Sequence, residues 1–427
     1  MVARIRGDGA STVGRERAGK GKTVFFVFNL LQDVNIVRGL VYLTARETGA
    51  AIAFLVSEAF LKRDGRRIWQ GVIAAMAADV GATLYLFADS RQAQAVLGDG
   101  SGIIFAASES TLPAHGETAE VFRVAPAGYL RITLQHGLEC VGFAQSREHS
   151  IRHGRNVGFN ADIICSWFEE GKLTSLAASQ RSKVYVSGPP TQLQARKRPP
   201  DHPPTAGGLV CENLHSVRLG VSGENRTSFA QTFLSFCERM SERHEPVTLR
   251  PHPGGQYLLK NRLELPDNVV INNLPSFDVD LPAYAYGVSP PSSVILDMVL
   301  ARIPVAVWRD PAGTMDLSNY AGLAVVSTLD EWLQFERDAR VRREDFLERQ
   351  DAFLNSLGMP TQPADVYRRL ARLIVAGLEG TPPPCERASE TAADHIAKVE
   401  AWLSNARPER LVRRATLSEN RLVDVGW

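Results

Sequence analysis

The chain has 427 residues, 44% hydrophobic and 22% charged, too many for one typical core, which implies two domains with an appendage. Lys and Arg number 48 against 47 Asp and Glu, a formal net charge of +1, which argues against a polybasic nucleic-acid or membrane anchor and predicts no nucleic-acid partner. The five cysteines, Cys140, Cys165, Cys211, Cys237 and Cys385, form no CxxC pair and read as reduced thiols of a cytoplasmic protein, not as a disulfide frame or zinc site.

In chain order, residues 1–22 are basic and Gly-rich without the apolar core of a secretion signal, and read as a disordered leader. Within them "GRERAGKGKT" imitates a phosphate loop and fails in both registers. Gly21 stands where Ser or Thr is needed in one, Glu16 where the first Gly is needed in the other. Apolar runs then alternate with amphipathic stretches. Strands are expected at 23–29, 51–57, 83–88, 102–107, 130–135, 162–166 and 183–188, with helices such as 35–49 and 66–81 between them. Continuous apolar strands separated by helices predict a mostly parallel sheet covered on both faces. No apolar run approaches the length of a membrane span.

The texture breaks at "SGPPTQLQARKRPPDHPPTAGG" (187–208), whose Pro-Pro pairs mark an interdomain linker. A second alternating series follows, with strands at 208–214, 246–250, 268–272, 284–289, 304–308 and 322–327. Helices dominate from 328 to 379. The predicted domains are therefore 23–190, a linker at 191–207, 208–380, and a C-terminal helix with a basic tail at 381–427. The expected architecture is α/β, with two Rossmann-like domains and parallel sheets facing across a cleft.

Ligands in such sheets bind beyond the carboxyl ends of the strands, and four clusters occupy those positions. "LQHGLE" delivers Gln135, His136 and Glu139 past Gly137. "VCENLHS" delivers Glu212, Asn213 and His215. "RPHPGG" carries Arg250, His252 and Pro253. "VSPPSSVILD" starts a helix at Ser292 and Ser293. The last has the clearest mechanics: a helix start presents unpaired N–H groups and a positive dipole end to an anion. Arg250 and His252 could add charge and donors to the same phosphate, the prolines holding their turn at little entropic cost. Plainer roles stand beside these: Ser292 or Ser293 as a helix cap, His136 in the core, Glu212 capping the next helix, His252 bonded to backbone, Asp297 solvated or paired. Asp33 and Glu58 also follow strands, without a signal that ranks them. No Asp-x-Asp metal signature stands at a strand end, "DVD" (278–280) lying in a loop-like stretch, so no metal is expected.

A His-Pro pair followed by a Ser-Ser helix start, in the second half of a two-Rossmann chain, resembles GT-B glycosyltransferases that use CMP-activated acidic sugars. Together with "LQHG" and "CENLHS", residues 23–380 look most like the retaining β-Kdo transferases of bacterial capsule and O-antigen synthesis. The resemblance implies transfer of Kdo (3-deoxy-D-manno-octulosonic acid) from CMP-β-Kdo to an oligosaccharide or lipid-linked glycan, with no cofactor. Arg250, His252, Pro253, Ser292 and Ser293 would hold CMP, while Gln135, His136, His215 and Asn213 would line the acceptor or sugar site. A double displacement needs a carboxylate nucleophile and an acid/base. Glu212 is assigned the first role and Glu139 the second, and the two can be exchanged. The resemblance also leaves room for peripheral inner-membrane association and for a complex or fusion with other polysaccharide glycosyltransferases. The [DE]-[DE]-G motif of inverting sialyltransferases is missing after the first-half strands, which disfavours that alternative. Glycerophosphotransferases that use CDP-glycerol share the His-Pro turn and the Ser-Ser start. A catalytically inactive nucleotide- or sugar-binding subunit of an assembly complex is the non-enzyme alternative.

Overall fold

The computed structural model describes residues 19, 21–65, 67–194, 206–213, 228–252, 257–260 and 262–381. Strands β1 (Thr23–Phe28), β2 (Ala51–Ser57), β3 (Thr83–Phe87), β4 (Gly102–Ala106), β5 (Tyr129–Leu134), β6 (Ile163–Ser166) and β7 (Val184–Val186) build the first sheet. Their order is β3-β2-β1-β4-β5-β6-β7. Strands β8 (Ala206–Cys211), β9 (Val247–Arg250), β10 (Val269–Ile271), β11 (Tyr284–Ser289), β12 (Val305–Trp308) and β13 (Ala324–Val326) build the second, in the order β10-β9-β8-β11-β12-β13. Every strand pair is parallel. Both sheets reverse direction beside their first strand, at β1/β4 and β8/β11, and it is at such a switch point that α/β sheets open a crevice.

The apolar runs are continuous because helices cover both faces. In the first half these are α1 (Leu31–Glu47), α2 (Glu58–Arg63), α3 (Ile68–Val80), α4 (Ser90–Leu97), α5 (Gly116–Val124) and the short α6 (Arg147–His153). In the second half they are α7 (Ser228–Ser241), α8 (Tyr257–Lys260), α9 (Ser293–Leu300), α10 (Leu329–Val341) and α11 (Arg343–Leu357), and α12 (Pro363–Glu379) ends the described chain. Phe229, Phe233 and Phe236 of α7 meet Trp308 and Trp332 in a core on one face of the second sheet. Another core covers one face of the first sheet and continues through Leu138, Cys140 and Phe143 into Ile295, Leu296 and Val307 of the second half. The two halves thus share apolar contact at the seam where the strand ends meet.

The domain boundaries differ from the sequence expectation at two points. Helix α12 falls within 208–380, yet it packs on the first sheet. Its stripe of Val366, Leu370, Leu373 and Ile374, at helical spacing, closes over Val24, Phe26, Ile103 and Phe105. An amphipathic period fixes that a face is buried but not which sheet buries it. The beginning of the expected linker is also part of the first half: Pro190–Leu193 form a short 3-10 turn and Leu193 is buried against α1. A Cβ on Gly39 of α1 would lie 2.8 Å from Leu193 Cβ, so glycine is what admits the turn. Residues 195–205, nearly all of the tail at 381–427 and most of the leader lie outside the described residues.

Candidate functional site

From the first half, the chain leaves β5 through Gln135, whose side chain is fully buried. Gln135 Oε1 accepts from the Trp167 amide at 2.8 Å and from Ser166 Oγ at 3.3 Å, and Nε2 donates to the Gly137 carbonyl at 2.8 Å. Gln135 therefore braces the turn from within and presents nothing to an acceptor, unlike the sequence expectation. His136 follows, half-buried, donating to the Ala107 backbone and lying 3.4 Å from Cys140 Sγ through Nδ1. Burial lowers its pKa to about 4, so the ring is neutral at physiological pH. His115 stands edge-on to it with ring centres 5.5 Å apart, and Ser110 Oγ is 2.7 Å from His115 Nδ1.

Glu139 ends this segment. Its Oε1 accepts from Asn319 Nδ2 of the second half at 3.1 Å. Burial is the main force on this carboxyl and raises its pKa to about 8, with the nearby Asp316 and Glu148 carboxylates adding to the effect and the Asn319 bond opposing it. Glu139 is therefore a protonated acid at neutral pH. Between His136 and Glu139, the Leu138 amide donates to Ser293 Oγ at 2.9 Å. A Cβ on Gly137 would come within 2.5 Å of the same oxygen. Glycine is required there because the other half approaches so closely, and Gly137 is not among the residues of positive φ.

From the second half, Glu212 and Asn213 continue β8, both buried. The Glu212 amide donates to the Arg250 carbonyl at 2.9 Å, and its Oε2 accepts from the Leu258 amide at 3.3 Å, at the beginning of α8. The helix it reaches is α8, beyond β9, and not the one that follows β8 in sequence, which Glu212 was expected to cap. Asn213 Nδ2 donates to the Pro291 carbonyl, the residue before Ser292. One strand end therefore fixes both the segment after β9 and the entry to α9. Arg250 NH1 donates to the Leu274 carbonyl at 2.7 Å, and its guanidinium feels the Cys211, Asp297 and Tyr284 groups, while burial lowers its pKa. His252 lies two residues beyond β9, half-buried. Pro253 and His215 lie outside the described residues.

Ser292 occupies the N-cap position of α9 in extended conformation, and its hydroxyl makes no capping bond. Ser293 is used differently from expectation: its oxygen reaches across the seam to Leu138. Asp33 and Glu58 also resolve. Asp33 is buried and accepts from the Asn29 and Leu30 amides at 2.8 and 2.7 Å and from the Ser108 hydroxyl, so it closes the start of α1, with burial raising it to about 6. Glu58 is exposed, 3.8 Å from Lys62. A groove of about 680 Å³ lies at the opposite, amino-terminal edge of the first sheet. Its charged groups are paired, Arg131 with Asp162 and Lys22 with the Leu378 carbonyl, so it presents no free catalytic group.

Sequence reasoning missed the partners that the 309–320 segment supplies. Asp316 Oδ2 accepts from the Arg147 amide at 2.8 Å, and Arg147 NH2 donates to the Thr314 carbonyl at 2.7 Å, beside the Asn319–Glu139 bond. "DLSNY" follows a strand but has neither periodicity nor turn dipeptide to distinguish it. The strand ends of the two halves thus hold a neutral carboxylic acid, a neutral imidazole, a helix amino end and a half-buried arginine. Such a set can bind an anionic group and move a proton beside it.

No protein-family model and no curated protein matches the chain. Solved structures do. A putative UDP-N-acetylglucosamine 2-epimerase from Listeria monocytogenes is similar at 13% identity and TM-score 0.58, over 86% of this chain and 99% of that one. The wall teichoic acid polymerase TagF is similar at 10% identity and TM-score 0.53, over 84% and 90%. A glycotransferase of kitacinnamycin is similar at 12% identity and TM-score 0.51, over 86% and 100%. With two parallel Rossmann-like sheets of seven and six strands, the chain has the GT-B fold.

Proposed function

We propose that the protein is a retaining glycosyltransferase that moves Kdo from CMP-β-Kdo to a saccharide hydroxyl, free or lipid-linked, in surface polysaccharide synthesis. The observation that carries the reading is Glu139: a protonated carboxyl at the interlobe seam, held by Asn319, beside the amino end of α9. In the first step a Glu212 oxygen attacks the anomeric carbon while the bond to the CMP phosphate oxygen breaks. The electron pair leaves with CMP, and Glu139 supplies the proton. In the second step the Glu139 carboxylate removes the proton of the acceptor hydroxyl, whose oxygen displaces Glu212 from the sugar. Two displacements retain the configuration. The helix end, Ser292, Ser293, Arg250 and His252 stabilise the charge on the departing phosphate, so the reading needs no metal. His136 and Asn213 border the sugar. Arg250's internal bond to Leu274 fixes its side chain and favours a preorganised charge over a mobile one.

One observation favours a second reading, transfer of glycerol phosphate from CDP-glycerol. The fold is shared with a wall teichoic acid polymerase, one of whose structures carries a CDPG soak, and neutral His136 is in the form a base requires. Incubation with each donor and a saccharide acceptor separates the two. CMP release with CMP-Kdo, a β-linked product by NMR and a covalent Kdo adduct on Glu212 by mass spectrometry are expected. An α-linked product, or full activity of Glu212→Ala, contradicts double displacement. Turnover with CDP-glycerol alone selects the second reading, and binding without turnover of either donor identifies a non-catalytic subunit.

A further inference from the structure

The amino end of α9 is bordered by a residue that the reading above leaves unused. Tyr320 ends a short 3-10 turn, Ser318–Tyr320, directly after Asn319. It is 1% exposed, and its O–H finds no acceptor. The Ser292 amide N–H faces that oxygen, and the Glu139 carboxyl acts on it electrostatically. Ser292, the N-cap, makes no side-chain capping bond. Three features thus converge: a helix start where the Ile295 amide turns back to the Ser292 carbonyl while those of Ser293 and Val294 precede the first intrahelical acceptor, no side-chain cap on Ser292, and a buried hydroxyl beside it.

A buried O–H without an acceptor is destabilising, and the ring alone would fill the same core. Three other aromatic donors among the described residues are unpartnered: Trp308 and Trp332 lie in the core of the second sheet, and Trp167 lies directly after β6 in the core that Tyr320 also joins, while it is Tyr320 that stands beside the Ser292 backbone. We propose that Tyr320 is a further ligand-binding residue of this site, its hydroxyl donating to a phosphate monoester oxygen held at the amino end of α9, between Ser292 and Glu139. This rests on the proposed reading for the identity of the nucleotide but not for the anion. The phosphate enters as the halves part. The neighbouring bonds that must open, Ser293–Leu138 and Asn319–Glu139, each join neutral groups at neutral pH. In the complex Ser293 donates to the phosphate through the same hydroxyl, since a serine oxygen can both accept and donate.

Calorimetric titration of the wild type and Tyr320→Phe with CMP, UMP, inorganic phosphate and cytidine tests this. The variant keeps the ring and should melt at the same or a higher temperature. CMP and phosphate affinity should fall about tenfold or more, the worth of a hydrogen bond to a charged group, with cytidine unchanged. Equal phosphate and CMP affinity in both proteins overturns the inference. So does an equal loss for cytidine, which marks a structural role, or a wild type that binds no phosphate-bearing probe. If the wild type takes UMP as well as CMP and Tyr320→Phe weakens both, the CMP reading fails and the role of Tyr320 stands.

Discussion

Burial holds the Glu139 carboxyl near pKa 8, against 4.5 for an ordinary glutamate, so the proposed reaction starts from the acid form. Activity should therefore decline as pH rises through about 8. Glu139→Gln should lower kcat by about 100-fold or more and flatten that limb. Asn319→Ala removes the bond that stabilises the carboxylate, so its limb should move upward in the same pH–rate measurement. A limb that stays in place in Asn319→Ala assigns it to another group. The shift also bears on stability. The folded state holds the proton more tightly than the unfolded chain. This contribution is fully present below about 4.5 and is lost as pH rises through about 8. Urea unfolding of Glu139→Gln across that window should show a shallower decline with pH than the wild type.

At the scale of elements, the seam depends on two loops and a helix end meeting closely. Gly137→Ala places a methyl 2.5 Å from Ser293 Oγ, while Ser293 Cβ stands off at 3.8 Å. The single change should push the halves apart, lowering stability and activity together, and should be far milder in a Ser293→Ala background. A double-mutant cycle with strictly additive effects would contradict that contact. The strands were legible because each is an unbroken apolar run between helices, as in "TVFFVF" and "YAYGVS". The strand-end carboxylates were legible because the crevice of a parallel sheet lies there. Asn319 and Tyr320 were not, since the segment after β12 is irregular and its role exists only once the other half packs on it. Glu212 was placed correctly at its strand end, but its bond to Leu258 depends on a later helix that sequence cannot dock.

Across the whole molecule, α12 returns from the second half to the first, so between residues 21 and 381 the chain crosses between halves and back. Leu370 is fully buried under β1 and β4. Leu370→Ala should cost about 2–5 kcal/mol, read as a lowered urea midpoint of the first half, although the residue lies far along the sequence from it. A midpoint within error of the wild type would place α12 elsewhere. Among the described residues no helix is long and apolar enough to cross a membrane. The seam itself is held by side chains that also belong to the proposed chemistry, Ser293 and Glu139. On the proposed chemistry, ligand binding and opening of the halves are coupled through the same atoms.

The most direct measurement is a crystal structure of the protein with CMP. The phosphate should rest on the amino end of α9, against Ser292, Ser293 and Tyr320, with Arg250 and His252 bordering it and Glu139 facing the leaving oxygen. A nucleotide bound away from that helix end, such as in the groove beside Arg131 and Asp162, would contradict the account.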